Sequence, residues 1–326
     1  MTGREDGASR LGRVLREAGT PGILEALSER LSPTDLQTLL LEVYRSRVAA
    51  VTPSRLLDQY ERNRFTSPSP LDPAELARLD VLMYERLARH GFDRVTLSPV
   101  CPLGTNAAVA TVDQNKVLTT IRNTEVVADA TNVLALECAV RRRRLPRGDR
   151  VRLGSSHRVV RAQAYAVPGM SAHFQLLALC TAGRGEGSFG FETETLTEQI
   201  GVLLDLLERA RDVPAPRVTI TDLTDGRHRE ALRDRVLNVL ADRHPAATFG
   251  FDDERPNGRG YYVDACFEIS AVTPEGGELG LVDGGFTRWT AGLLGNAKER
   301  LLISGLGVEL LCGHFPAKAA NGPKGE

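Results

Sequence analysis

The sequence predicts an α+β fold: a largely antiparallel sheet with flanking helices, preceded by a helical N-terminal region. Three observations predict it. Segments of alternating apolar and polar residues dominate the middle of the chain. The helical segments that interrupt them do not alternate strictly with strands, which argues against a doubly wound parallel sheet. The first 65 residues or so carry apolar residues at three- and four-residue spacing and no strand pattern.

The helical region takes in Leu11 to Ala18, Ile23 to Leu31 and Pro33 to Val48. Ser32-Pro33-Thr34-Asp35 and Thr52-Pro53-Ser54 read as helix starts, each with proline in the first turn. Thr66-Ser67-Pro68-Ser69-Pro70 has linker composition. Pro73 to His90 is an amphipathic helix with Leu76, Leu79, Leu82, Met83 and Leu87 on one stripe, ended by Gly91. Arg94 to Ser98 alternates as a strand and is stopped by Pro99. Lys116 to Arg122 and Glu125 to Asp129 read as strands around a turn at Asn123-Thr124, and Thr131 to Arg142 as a helix. Arg150 to Arg161 and His173 to Cys180 read as strands around the loop Ala162 to Ala172, which holds Pro168-Gly169. Then follow a helix from Leu196 to Arg211, a strand from Val218 to Asp222, a helix from Arg227 to Arg243 and a strand from Tyr261 to Val272. The domain reading is therefore a helical region over 1–65, a core over 66–316 and a disordered tail over 317–326, small, charged and rich in glycine and proline.

Composition narrows the function classes. Of 326 residues, 42% are hydrophobic and 25% charged, enough to bury a real core. The net charge of −1 gives no global field toward nucleic acid or membrane. No apolar run is long enough to span a bilayer, and the N-terminus lacks the build of a signal peptide. The five cysteines (101, 138, 180, 266 and 312) form no C-x-x-C, so neither a zinc site nor a disulfide framework is predicted. These observations predict a cytoplasmic protein with no membrane partner. Arg141 to Arg144, with Arg147 and Arg150, is the densest charge cluster. A solvated loop is the first reading of such a run and contact with RNA phosphates the second, though no aromatic residues interleave it. No P-loop, Rossmann fingerprint or nucleophile elbow is present.

The most informative stretch is the last quarter. Tyr261-Tyr262, four residues, then Phe267-Glu268 is followed by Gly284-Gly285 and by Gly305-Leu306-Gly307-Val308-Glu309 opening a helix. Upstream, Asp129 and Thr131 open the helix Thr131 to Arg142, and Leu153 to Arg158 leads into a strand–loop–strand closed by His173-Phe174-Gln175. This order resembles the catalytic core of class II aminoacyl-tRNA synthetases, closest to histidyl-tRNA synthetase and the regulatory subunit of ATP phosphoribosyltransferase. The resemblance runs from about residue 72 to 313. It implies a homodimer through the helix Pro73 to His90 and the strand to Pro99. It implies ligand-binding roles for Asp129, Thr131, Arg158, Phe174, Tyr261, Tyr262 and Glu309, with Arg161 in place of Arg158 if the strand is read in a shifted register. Capping of the helix accounts for Asp129 or Thr131 without any ligand, and a core strand position accounts equally for Phe174.

Several positions depart from the family pattern. The arginine four residues before the first tyrosine is Asn257, for which Arg259 substitutes in part. The helix-opening arginine is Leu310, and Met170-Ser171-Ala172 stands where basic residues would hold outer phosphates. The glutamate two residues after the first arginine is Val160, or Gln163 in the shifted register. Residues 312–326 are too few for an anticodon-binding domain. The resemblance therefore implies a synthetase-like core that does not aminoacylate, binding an amino acid or nucleotide-like ligand in an accessory or regulatory role, with a protein partner left open. The alternative is an ATP-dependent ligase that activates a carboxylate by adenylation with a rewired ATP site; only then would ATP and Mg²⁺ serve as cofactors. No catalytic residue and no metal ligand is assigned.

Overall fold

A computed structural model describes residues 2–163, 171–185 and 187–318. By internal contacts the chain divides into two units, residues 1–63 with 119–124, and residues 64–118 with 125–326. The first is helical: α1 (Thr2–Ala18), a short stretch Ile23–Glu25 continued by a π turn Ala26–Arg30, α2 (Pro33–Val48) and α3 (Pro53–Arg62). Ser32 and Thr52 cap α2 and α3, their hydroxyls accepting from the amides of Asp35 at 3.2 Å and Arg55 at 3.4 Å. No residue of α2 or α3 is buried, and Leu39, Val43, Tyr44, Leu56, Leu57 and Tyr60 are exposed.

The second unit is built on an eight-stranded sheet. Its strands are β1 (Asp93–Arg94), β2 (Val151–Val160), β3 (His173–Arg184), β4 (Arg217–Asp222), β5 (Thr248–Phe251), β6 (Val263–Val272), β7 (Glu278–Thr287) and β8 (Glu299–Gly307). The order is β1-β2-β3-β8-β7-β6-β4-β5. Every pair from β2 to β4 is antiparallel, and the two edge strands join parallel. Besides a short helix at Thr105–Ala110, the helices are α4 (Pro73–Arg89), α5 (Ala130–Arg142), α6 (Gly190–Ala210), α7 (229–243, with a π turn at Arg233–Leu237), α8 (Trp289–Leu294) and α9 (Val308–His314). Alternation along β3 divides the core. Leu177 and Leu179 pack with α4, α6, α7 and α9 on one face. Leu176, Ala178 and Cys180 pack with α5 and α8 on the other. This is the α+β antiparallel arrangement that the sequence predicts.

The short elements differ from expectation. The strand predicted from Arg94 shrinks to Asp93–Arg94, because β1 meets β2 over two residues and the last ladder bond runs from the Val95 amide to the Gly154 carbonyl at 2.9 Å. The strand predicted from Lys116 to Arg122 is not formed: a 3₁₀ turn, Gln114–Lys116, takes its start, because the Asp113 carboxylate accepts from the Asn115 amide at 3.0 Å. Of the predicted strand Glu125 to Asp129 the first two residues remain, in Thr124–Val126, since Asp129 serves as the cap of α5. Tyr261 and Tyr262 precede β6 rather than opening it, and both their amides turn back to the Gly258 carbonyl, at 3.1 and 2.9 Å. Strands β5, β7 and β8 and helix α8 were not expected. In β7 the glycines disguise a strand: a Cβ at Gly284 would come within 2.6 Å of the Phe267 ring, and one at Gly285 within 2.6 Å of Tyr262.

The arginine cluster is largely structural at its centre. Arg142 is buried, donates Nε and Nη2 to both carboxylate oxygens of Glu299 at 3.0 and 3.2 Å, and binds the carbonyls of Arg147 and Asp149. Arg141 pairs with Asp93 and Glu137, each at 2.8 Å. Residues 164–170, Met170 among them, and 319–326 lie outside the described residues, and with them most of the predicted loop Ala162 to Ala172 and of the predicted disordered tail. Among the described residues no helix is long and apolar enough to cross a membrane.

Candidate functional site

The site is built on the sheet face that carries α5 and α8. Asp129 caps α5: its Oδ1 accepts from the Thr131 amide at 2.9 Å and from the Thr131 hydroxyl at 2.8 Å. Its Oδ2 accepts from Arg161 Nη2 at 3.1 Å, while Arg161 Nε donates to the Ala128 carbonyl at 3.0 Å. The Arg161 guanidinium lies 5.0 Å over the Phe174 ring. Tyr261 meets Tyr262 edge-on at 4.8 Å and Trp289 at 5.7 Å. Burial pushes the Tyr261 phenol well up, with Asp129 adding to the rise and Arg161 opposing it. Asp129, Thr131, Arg161, Phe174, Tyr261 and Tyr262 thus come together on one face. The capping reading of Asp129 is realised: Oδ1 caps α5 while Oδ2 faces Arg161.

Parity along β2 separates the two candidate arginines. Val159 packs with the α5 face, so its neighbour Arg158 projects to the opposite side. There Arg158 pairs with Glu309 at 2.8 Å and donates to His173 Nδ1 at 2.9 Å. Two residues expected to hold ligand therefore hold each other, away from Asp129 and Tyr261. Leu310, in the first turn of α9, lies against Gly307 and brings no charge. Ser171 accepts from the His173 amide at 3.4 Å, and Ala172 is buried.

Beside it on the α5 face is a network that the sequence reading missed. Tyr262 donates its hydroxyl to Asp283 at 2.8 Å, and Asp283 pairs with Arg255. Arg255 is buried; its Nε donates to the Asn257 carbonyl at 3.0 Å, and its Nη1 is buried with no hydrogen-bond partner among the described residues. Glu268 faces Asp283 across the ladder, and burial pushes its carboxyl up against the opposing pull of Arg255. The cation of this network, Arg255, stands two residues before Asn257, the position the spacing had singled out. Gly258 and Gly260, at φ 88° and 85°, fold the chain back to place it. The Asp283 that precedes Gly284-Gly285 was the available signal. Arg259 is exposed and donates to the Asp253 carbonyl at 2.9 Å.

Among the described residues no three His, Cys, Asp or Glu side chains converge to hold a metal ion. A groove of about 780 Å³ lies on the other face, between α4, α6 and α7, lined by Arg86, His90, Asp205, Arg243 and His244. It shares no residue with the aromatic-lined site.

Solved structures show what fold this is. The core is similar to apo histidyl-tRNA synthetase of S. aureus, at 13% identity and a TM-score of 0.60, over 76% of this chain and 68% of that one. It is also similar to an ATP phosphoribosyltransferase regulatory subunit/histidyl-tRNA synthetase from Bacillus halodurans, at 17% identity and a TM-score of 0.55, over 76% of this chain and 82% of that one. The chain has the class II aminoacyl-tRNA synthetase fold. No protein-family profile and no curated protein matches the sequence.

Proposed function

We propose that the core binds a zwitterionic small ligand, an amino acid or close analogue, in an accessory or regulatory role and without charging tRNA. The observation that carries the reading is the Asp129–Arg161 pair, held at 3.1 Å beside Phe174 and Tyr261. A carboxylate beside a guanidinium complements an ammonium beside a carboxylate. The incoming ligand exchanges one partly exposed ion pair for two, on a wall that excludes water from one side. Arg161 suits the carboxylate because its fork can bind both oxygens.

Leu310 and Ser171-Ala172 support the accessory role. They offer no cation where the outer phosphates of a nucleotide would need one. No observation in the cleft favours the ligase alternative. The test is thermal shift of the full chain against the twenty amino acids and against MgATP. One amino acid, or a small related set, should raise the melting temperature while MgATP leaves it unchanged. A shift with MgATP and none with any amino acid would overturn the reading.

A further inference from the structure

Helices α4, α6 and α7 each turn one polar face to the groove between them. Arg86 and His90 stand one turn apart on α4. Glu198, Gly201 and Asp205 follow one another by turns on α6, and Arg235, Val239 and Arg243 do so on α7. At about 780 Å³ the groove has the size of a small-molecule site.

Its acids are well served and its bases are not. Glu194 pairs with Arg150 at 2.8 Å and Glu198 with Arg152 at 2.7 Å, both arginines coming from the β2 side. Asp205 is shared by Arg209 at 2.7 Å, His90 at 3.4 Å and Arg86 at 3.8 Å. Arg86 thus holds only the longest of these contacts, beyond hydrogen-bond reach, although its side chain is just 12% exposed. Its Nε is buried with no hydrogen-bond partner among the described residues. The guanidinium of Arg243 makes no ion pair or hydrogen bond among the described residues, and Arg235 donates only to the Ser188 carbonyl, at 3.2 Å. Burial holds the His244 imidazole below its ordinary value; Glu208 and Asp205 pull it up, and Arg243 and His90 push it down. Arg243 and His90 therefore share the Asp205 end of the groove.

The other end offers an acceptor. Glu198 Oε2 is buried with no hydrogen-bond partner among the described residues. It belongs to a residue seven positions before Asp205, two turns or roughly 10 Å along α6. Leaving buried polar atoms unpaired is unfavourable, so each end of the groove favours a partner: an oxyanion at Arg86, a donor at Glu198. Gly201 lies between them and keeps the wall low. A Cβ there would meet His244 Nε2 and Leu240, each at 3.8 Å, which is ordinary contact.

We infer that this groove is a second binding site, for a hydroxylated phosphate of sugar-phosphate size. The phosphate meets Arg86 and Arg243, because a guanidinium binds a tetrahedral oxyanion through paired donors. Two arginines suit a dianion, and Asp205 keeps Arg209 and His90 when Arg86 turns to the ligand. A hydroxyl at the far end of the ligand donates to Glu198 Oε2. No residue of this site belongs to the Asp129–Arg161 cleft, so the inference stands apart from the amino-acid reading.

Calorimetry on the full chain tests it, with glucose 6-phosphate, inorganic phosphate and glucose as probes. Glucose 6-phosphate should bind at least tenfold more tightly than inorganic phosphate, and glucose should give no binding heat. Arg243→Ala changes an exposed side chain and should weaken both phosphates roughly 10- to 100-fold, the loss of one charge-assisted contact. Gly201→Leu fills the groove from a helical position without touching an ion pair, and should abolish binding of both while the protein stays folded. No binding heat from either phosphate overturns the site. Equal affinity for the two overturns the sugar-phosphate assignment. Binding that survives Gly201→Leu lies elsewhere and overturns the groove as its place; should that variant fail to fold, binding unchanged in Arg243→Ala overturns it equally.

Discussion

Replacing Arg161 and Arg158 separately distinguishes the two faces of the sheet at the end of β2. Arg161→Ala removes the 3.1 Å contact to Asp129, whose Oδ1 keeps both donors from Thr131. The pair is about a third exposed, at 31% and 26%, so its loss should change folding stability by less than about 1 kcal/mol. For a ligand whose carboxylate meets that guanidinium, the lost charge-assisted contact is about 1.5–3 kcal/mol, roughly 10- to 100-fold in affinity. Arg158→Ala strips the Glu309 carboxylate, 13% exposed, of its cation and leaves it the Ser69 hydroxyl. It should lower stability more than Arg161→Ala does and weaken amino-acid binding less than about threefold. Calorimetry on both variants with the amino acid found by thermal shift reads the affinities, and urea unfolding reads the stabilities. If Arg158→Ala abolishes binding and Arg161→Ala leaves it intact, the assignment of the cleft face is wrong.

Three other outcomes follow from the packing. Arg142→Ala should cost about 3–5 kcal/mol in urea unfolding, because it leaves the carboxylate of Glu299 buried with its close partner gone; a loss below about 1 kcal/mol would contradict the buried pair. Glu125 is buried and accepts from the amides of Gly104 and Asn106 and from the side chains of Asn106 and Gln114, at 2.6–2.9 Å. Burial alone would raise its carboxyl, but these four donors outweigh it and hold it below the ordinary value of 4.5. Its stabilisation is therefore full above that value and is lost as pH falls through the lowered one. Glu125→Gln should cost about 1–3 kcal/mol at pH 7, with the gap to the parent narrowing at acid pH; a gap that widens there would refute the sign. Helix α4 should form a two-fold homodimer interface in solution, with Val81, 59% exposed, among the residues covered; a clean 35.4 kDa monomer by light scattering at micromolar concentration would remove the proposal.

What could be read from the sequence was local. Ser32, Thr52 and Asp129 announce their helices because an N-cap needs only a side-chain oxygen two or three residues from a free amide. The apolar stripe of α4 carries its period in full, β2 alternates along part of its length, and β3 shows as an unbroken apolar run from Leu176 to Cys180. The arm after β2 was harder. The strand ends at Val160, and parity cannot be counted through the turn that places Arg161, so two registers stayed open. Arg255 was invisible as the site's cation because Gly258 and Gly260 break the link between spacing and position. Strands β7 and β8 escaped for opposite reasons. β7 is rich in glycine where neighbouring rings fill the space, and β8 is apolar on both faces, so it shows no alternation. The partner of Arg142 lies 157 residues away, and no local pattern joins them.

The most direct test of the central claim is titration of the identified amino acid into the full chain, with and without saturating MgATP, alongside ATP–pyrophosphate exchange. The cleft joins Asp129 and Arg161 beside Phe174 and Tyr261, and Leu310 brings no cation to the start of α9, where Arg158 is held by Glu309. The account predicts the same amino-acid affinity under both conditions and no exchange above background. Low-micromolar binding of MgATP with amino-acid-dependent exchange would contradict it and make carboxylate activation the activity of this fold.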